Sequence, residues 1–356
     1  MAAVGFGTLG LLVVALGTAL WLSPGRPAPY QDPAGNPVAG SISEKIWVEI
    51  NGEPQGMFIR GRSVSNPVVL FLHGGPGMPE YFLAEKHLAA LEDLFVVCYW
   101  EQRGAGLSWR PDLDAASVTS AQLVEDAIAV SRYLRERFGQ QQVILLAHSW
   151  GTFIGIQAAW RAPELYSAYV SVGQISDTVA SERLAHSYLR QRYAELGNKS
   201  MVGKLDAFPV AESETAARAF FDSEVREQAE HDLGVGTTRE MRSTATGIFL
   251  PHLLSPAYTL PEKLAQWQAK SFLREKTALV DELFTVNLPQ QVPALQIPTH
   301  FVSGAHDYTV NWKLSQQYLE TIAAPIKEFH LFENSAHSPL FEEPTRFATL
   351  LSEITR

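Results

Sequence analysis

The sequence predicts a doubly wound, mostly parallel α/β sheet with an inserted helical cap, and three observations lead there. Continuous apolar runs recur along the chain, as strands buried on both faces require. Segments with apolar residues at three- and four-residue spacing lie between them, as crossover helices require. One long stretch, residues 176–296, breaks the alternation with helical periodicity and charge but no buried run. A chain of 356 residues accommodates one such core and an inserted subdomain. Its apolar fraction of 46% excludes a disordered or collagenous chain. The net charge of −10 comes without any basic cluster, which argues against a nucleic-acid partner.

Taken in order, residues 2–22 contain no charged side chain and are long enough to span a bilayer as a helix. This predicts a transmembrane anchor over residues 1–22, with the catalytic domain outside the cytoplasm. The alternative is a signal segment cleaved near Gly17-Thr-Ala19, leaving a secreted protein. Residues 23–41 hold five prolines and several glycines, the composition of an extended linker. The first core segment, residues 42–175, opens with two alternating stretches around Asn51-Gly52, a hairpin signature. The buried-strand runs follow: Val68-Val-Leu-Phe-Leu72, Phe95-Val-Val-Cys-Tyr99, Val143-Ile-Leu-Leu-Ala147 and Tyr169-Val-Ser-Val172. Between the second and third of these, Ser120 to Phe138 repeats Leu123, Ala127, Val130 and Leu134 at helical spacing. The single cysteine, Cys98, sits inside an apolar run and can form no intrachain disulfide. After the cap, the second core segment covers residues 297–356 and begins with Thr299-His-Phe-Val302. A cap inserted there lies over the carboxyl ends of the strands, where open α/β sheets bind ligands.

Ala147-His-Ser-Trp-Gly151 stands between a strand and a helix, which makes Ser149 the candidate nucleophile on a sharp elbow flanked by small residues. His73-Gly-Gly-Pro-Gly77 directly follows a strand. Glycines there let backbone N–H groups point at an oxyanion, with Gly75 and Trp150 as the candidate donors. A hydroxyl needs an adjacent base, and His337, after the last strand-like run, is the histidine that fits. By contrast, His330 lies within that run, His148 points away on the turn, and His73 shapes its loop. Asp307, just past Thr299 to Val302, is the candidate acid that orients His337; Asp177 is its rival. Chain order is then Ser, Asp, His. No HExxH, paired CxxC or Walker loop is present, so neither a metal nor another cofactor is expected.

With Tyr99-Trp-Glu-Gln-Arg-Gly-Ala-Gly-Leu-Ser108, these motifs resemble the proline iminopeptidase (S33-type) branch of the α/β-hydrolase superfamily. The family pattern has an HGGPG loop, a WDQRGxGxS segment and a GxSWG elbow. Glu101 stands where Asp is usual, and Ala147 where Gly is usual. The resemblance assigns His73, Gly74, Glu101, Gln102 and Arg103 to the motif and substrate pocket. It implies release of an N-terminal residue, often proline, from short peptides, with cap carboxylates binding the free amino group. No family motif marks such carboxylates here, and Glu212, Glu214, Asp222, Glu224 and Glu227 read mostly as a solvated helix face. The same triad would also serve a carboxylesterase, lipase or lactonase on small acyl substrates. A non-catalytic, membrane-tethered binding module would be expected to lose a triad residue, and none is lost.

Overall fold

The computed structural model describes residues 17, 20 and 23–355. Strands β1 (Ile42–Ile50), β2 (Glu53–Gly61), β3 (Val68–Leu72), β4 (Val96–Trp100), β5 (Val143–His148), β6 (Tyr166–Val172), β7 (Thr299–Gly304) and β8 (Lys327–Phe332) form one sheet. Its order is β1-β2-β4-β3-β5-β6-β7-β8. The first two strands pair antiparallel through Asn51-Gly52, β2 pairs antiparallel with β4, and every later pairing is parallel. The sequence expectation of a mostly parallel α/β sheet therefore holds.

Alternate residues of the central strands feed the two faces. Leu70 and Leu72 of β3 pack with Leu145 and Phe153, whereas Val69 and Phe71 pack with Ile144 and Leu146 on the other side. Each such side chain contributes roughly 1.5–3 kcal/mol on burial, so the sheet is a stiff support. Flanking helices include α1 (Tyr81–His87), α2 (Ser120–Phe138) and α3 (Trp150–Arg161). Thr119 caps α2 by accepting from Gln122 N–H, and Gly139 in the left-handed region closes its far end.

Between Val172 and Thr299 the chain is helical, including α4 (Thr178–Glu195), α5 (Glu224–Leu233) and α6 (Leu260–Lys276). Leu189, Tyr193, Leu205, Phe220 and Ala229 give this region a small core of its own. The chain then returns to β7, followed by α7 (Trp312–Thr321), β8 and α8 (Pro344–Ile354).

Residues 23–41 lie along the body. Gly25 N–H donates to Pro256 O at 3.0 Å, and the Tyr30 hydroxyl donates to Glu92 Oε2 at 2.5 Å. The Arg60 guanidinium donates to Ala28 O and sits 4.5 Å over the Tyr30 ring. The expectation of a membrane-anchored protein is corrected. Among the described residues no helix is long and apolar enough to cross a membrane. The segment 1–22 lies outside the described residues apart from Gly17 and Leu20. A charge-free stretch states how far a helix could reach, not that one spans, so the placement outside the cytoplasm loses its basis.

Candidate active site

Ser149 joins β5 to α3 with φ 51° and ψ −121°, a left-handed backbone unusual for a residue with a side chain. The sequence permits this turn because position 151 is glycine: a Cβ there would stand 2.2 Å from Leu72 O. Ser149 N–H donates to Val172 O at 2.9 Å, and Thr152 Oγ1–H donates to Ser149 O at 2.7 Å, so the strained turn is held from both sides.

His337 Nδ1 lies 2.9 Å from Asp307 Oδ2, both residues being buried. The other oxygen of Asp307 accepts from Val310 N–H at 2.8 Å, which fixes the carboxylate in plane. Gly173 leaves room for the imidazole, since a Cβ there would stand 2.9 Å from His337 Cε1. The cap also grips this loop, His337 N–H donating to Gly236 O at 3.2 Å. Asp177, the rival acid, instead caps α4 by accepting from Ala180 N–H.

His73 holds its loop as a neutral imidazole. Burial pulls the His73 imidazole down to about 4, so the ring is uncharged near neutral pH. Its Nε2 accepts from Gln102 N–H at 3.1 Å, so Nδ1 carries the proton and donates to Gly74 O at 2.7 Å. Gln102 donates to His73 O and accepts from Trp150 Nε1 at 3.0 Å, joining the loop to the elbow. Gly74 N–H donates to Glu80 Oε2 at 3.2 Å, while Glu80 Oε1 lies 2.8 Å from His148 Nδ1. Burial opposes charge on His148, but the Glu80 carboxylate and further acceptors outweigh it and raise the imidazole above its ordinary value. His148 Nε2 lies 3.3 Å from His337 O, which places this ring beside the loop that carries the candidate base.

A cavity of about 480 Å³ opens between core and cap, lined by Gly75, Ser149 and Trp150 on the core side. His73, Gly74, Glu101, Gln102 and Arg103, expected at the motif and substrate pocket, do not line this cavity, although Gly74 lies close against the Ser149 side chain. They serve instead as buried framework. Arg103 turns away to pair with Asp126 at 2.6 Å. Glu101 accepts from the Tyr258 hydroxyl and from Leu107 N–H, each at 2.5 Å, and burial pushes its carboxyl up to about 7.

The cap side of the cavity carries an ionic cluster that the sequence reading missed. Arg226 donates to both oxygens of Glu182 at 2.7 Å and reaches Glu230 Oε2 at 3.3 Å. Thr309 Oγ1, two residues beyond Asp307, donates to the same Glu230 oxygen at 3.0 Å. Glu230 Oε1 is buried without a hydrogen-bond partner, and burial pushes this carboxyl up to about 7 against the pull of Arg226. The only sequence signal was the Arg226/Glu230 spacing of four on one helix. Glu212, Glu214, Asp222, Glu224 and Glu227 are all exposed, as their reading as a solvated face expects, and the last three also line the cavity.

Residues 67–344 match the family described as the alpha/beta hydrolase fold. A probable aminopeptidase of Bacillus subtilis is 31% identical over 323 residues, covering 90% of this chain and 98% of that protein. A proline iminopeptidase of Clostridium botulinum is 26% identical over 320 residues, covering 88% of this chain and 94% of its own. The crystal structure of proline iminopeptidase from Mycobacterium smegmatis superposes with a TM-score of 0.64 over 88% of this chain and 97% of that one. At 20% identity this is a likeness of fold.

Proposed function

The chain belongs to the proline iminopeptidase-like branch of the α/β-hydrolase superfamily, and from that premise we propose that it is a serine aminopeptidase acting on short peptides. Ser149 attacks the carbonyl carbon of the first residue, with His337 Nε2 taking the hydroxyl proton and Asp307 holding the imidazole in the required tautomer. The backbone N–H groups of Gly75 and Trp150 receive the oxyanion. Proton transfer from His337 releases the shortened peptide as an amine, and water, activated by the same base, frees the serine.

The observation that carries this reading is the shared cavity. Ser149 and Glu230 both line it, and Glu230 Oε1 is buried without a hydrogen-bond partner, so an acyl group at the serine and a cationic amine at Glu230 fit one substrate. Glu182 and Glu230 with Arg226 leave one net negative charge when all three are ionised, which favours a cation over an anion. The apolar stretch Ile175, Phe221, Val280 and Leu283 supports a second reading, an esterase taking a small acyl group.

Residues 23–356 would be assayed on proline p-nitroanilide, other aminoacyl anilides, their N-acetylated forms and p-nitrophenyl esters, with Ser149→Ala as blank. The aminopeptidase reading requires anilide turnover that N-acetylation abolishes and Ser149→Ala removes. Turnover of esters alone would leave the triad in place and discard the peptidase.

A further inference from the structure

The start of β7 and β8, at the opposite end of the sheet from Asp307 and His337, brings together three metal-ligating side chains. His300 lies opposite Glu328 in the parallel register, and Val302 opposite His330. Residues two apart on a strand share a face. His300, Glu328 and His330 therefore project from one side of the sheet. His300 Nδ1 is 3.3 Å from His330 Nε2, and Glu328 Oε2 is 3.7 Å from the first and 3.6 Å from the second.

That triangle has the dimensions of a coordination site. Metal–ligand distances of about 2.0–2.2 Å in tetrahedral geometry separate neighbouring donor atoms by roughly 3.3–3.6 Å. Two imidazole nitrogens with one carboxylate oxygen suit a borderline ion such as Zn²⁺, and do not suit Mg²⁺ or Ca²⁺, which select oxygen donors. In the tautomers that carry the proton on the outer ring nitrogens, His300 Nδ1 and His330 Nε2 both face the centre as lone-pair donors. His300 is buried and fixed, while the Glu328 side chain is 54% exposed and leaves a route from solvent to the fourth position.

We propose that His300, Glu328 and His330 form a three-ligand site for a zinc-class divalent cation, completed by water, which clamps β7 to β8 away from the catalytic cavity. The sequence expectation of no metal follows from spacing rules that see a Glu-x-His pair on one strand but not the histidine that the sheet places beside it. The ion's role is structural. A cation bound only by the folded chain adds to its stability, here at the two strands that deliver Asp307 and His337. The site is independent of the substrate assigned to Ser149.

Tag-free protein, stripped by chelator and dialysed, would be titrated with ZnCl₂ by calorimetry, with Co²⁺ as an absorption probe and thermal unfolding followed in parallel. One Zn²⁺ per chain is expected, with tetrahedral Co²⁺ bands and a Zn²⁺-dependent rise in Tm. Glu328→Gln, a surface change that leaves the fold intact, should weaken binding at least about tenfold, and His330→Gln should weaken it further and erase the Co²⁺ bands. Both variants should keep wild-type hydrolytic activity, since neither residue borders the cavity. Absence of binding, or equal affinity in the wild type and both variants, would overturn the site.

Discussion

Asp307 is fixed at both carboxyl oxygens, one by His337 and the other by Val310 N–H. Replacing it by Asn offers His337 either a weaker acceptor or a competing donor, so Asp307→Asn should lower kcat by about 10³–10⁴ without unfolding the chain. Asp177 caps α4 and also lines the cavity; Asp177→Asn keeps an acceptor for the cap and should stay within severalfold of wild type, whereas the reverse ranking would make Asp177 the acid. Glu230 gives a prediction in pH. Its carboxyl is neutral below about 7 and charged above. The ratio of kcat/KM for an aminoacyl anilide to that for a p-nitrophenyl ester cancels the titration of the shared triad. As pH climbs through 7 that ratio should rise more steeply in the wild type than in Glu230→Gln, the titration of the substrate amine being common to both; parallel profiles would remove Glu230 from amine binding. The triad candidates were legible because each stands next to a strand end with its own local motif. Glu230, Glu182 and Arg226 were not, because their meaning arises from contacts between α4, α5 and the loop after β7.

Elements were legible in proportion to how completely they are buried. Strands β3 to β7 read as continuous apolar runs because both faces are covered, while β8 is exposed at its start and shows only a fraction of the pattern. The elbow is the place where an element's geometry limits its sequence most sharply. At Gly151 an added methyl group would collide with Leu72 O and C, backbone atoms of a central strand that cannot yield. Gly151→Ala should therefore cost about 3 kcal/mol or more, read as a lower urea midpoint at unchanged slope. Gly155→Ala meets side-chain atoms instead, the methyl of Ala147 at 3.0 Å, the edge of Tyr169 at 3.1 Å and Leu72 Cδ1 at 3.3 Å, which can shift by a few tenths of an ångström. It should cost less than half as much. Equal losses would mean that the β5–α3 turn is not the constraint.

Across the whole molecule, core and cap are joined by buried polar contacts that composition could not reveal. Lys45 of β1 pairs with Glu262 of α6 at 2.9 Å, and Tyr258 of the cap reaches Glu101 at the end of β4. The Glu101 contact makes the stability of the assembly depend on pH. Desolvation by burial is the main cause of its raised pKa, and the Tyr258 and Leu107 hydrogen bonds offset only some of it. Below the ordinary carboxyl range both folded and unfolded chains hold the proton, and the stabilising contribution is complete. As pH rises towards 7 the unfolded chain releases its proton while the folded one retains it, so stability falls, and above about 7 the loss is complete. Glu101→Gln keeps the shape of the protonated side chain without that titration. Its stability relative to wild type should improve between pH 5 and pH 8 by roughly 3 kcal/mol, judged by urea midpoints at the two values. Glu230 adds a slope of the same sign to both proteins and so cancels in the difference. A difference that does not change with pH would show that Glu101 is already ionised in its pocket, with Tyr258 acting as a sufficient counterpart to its charge.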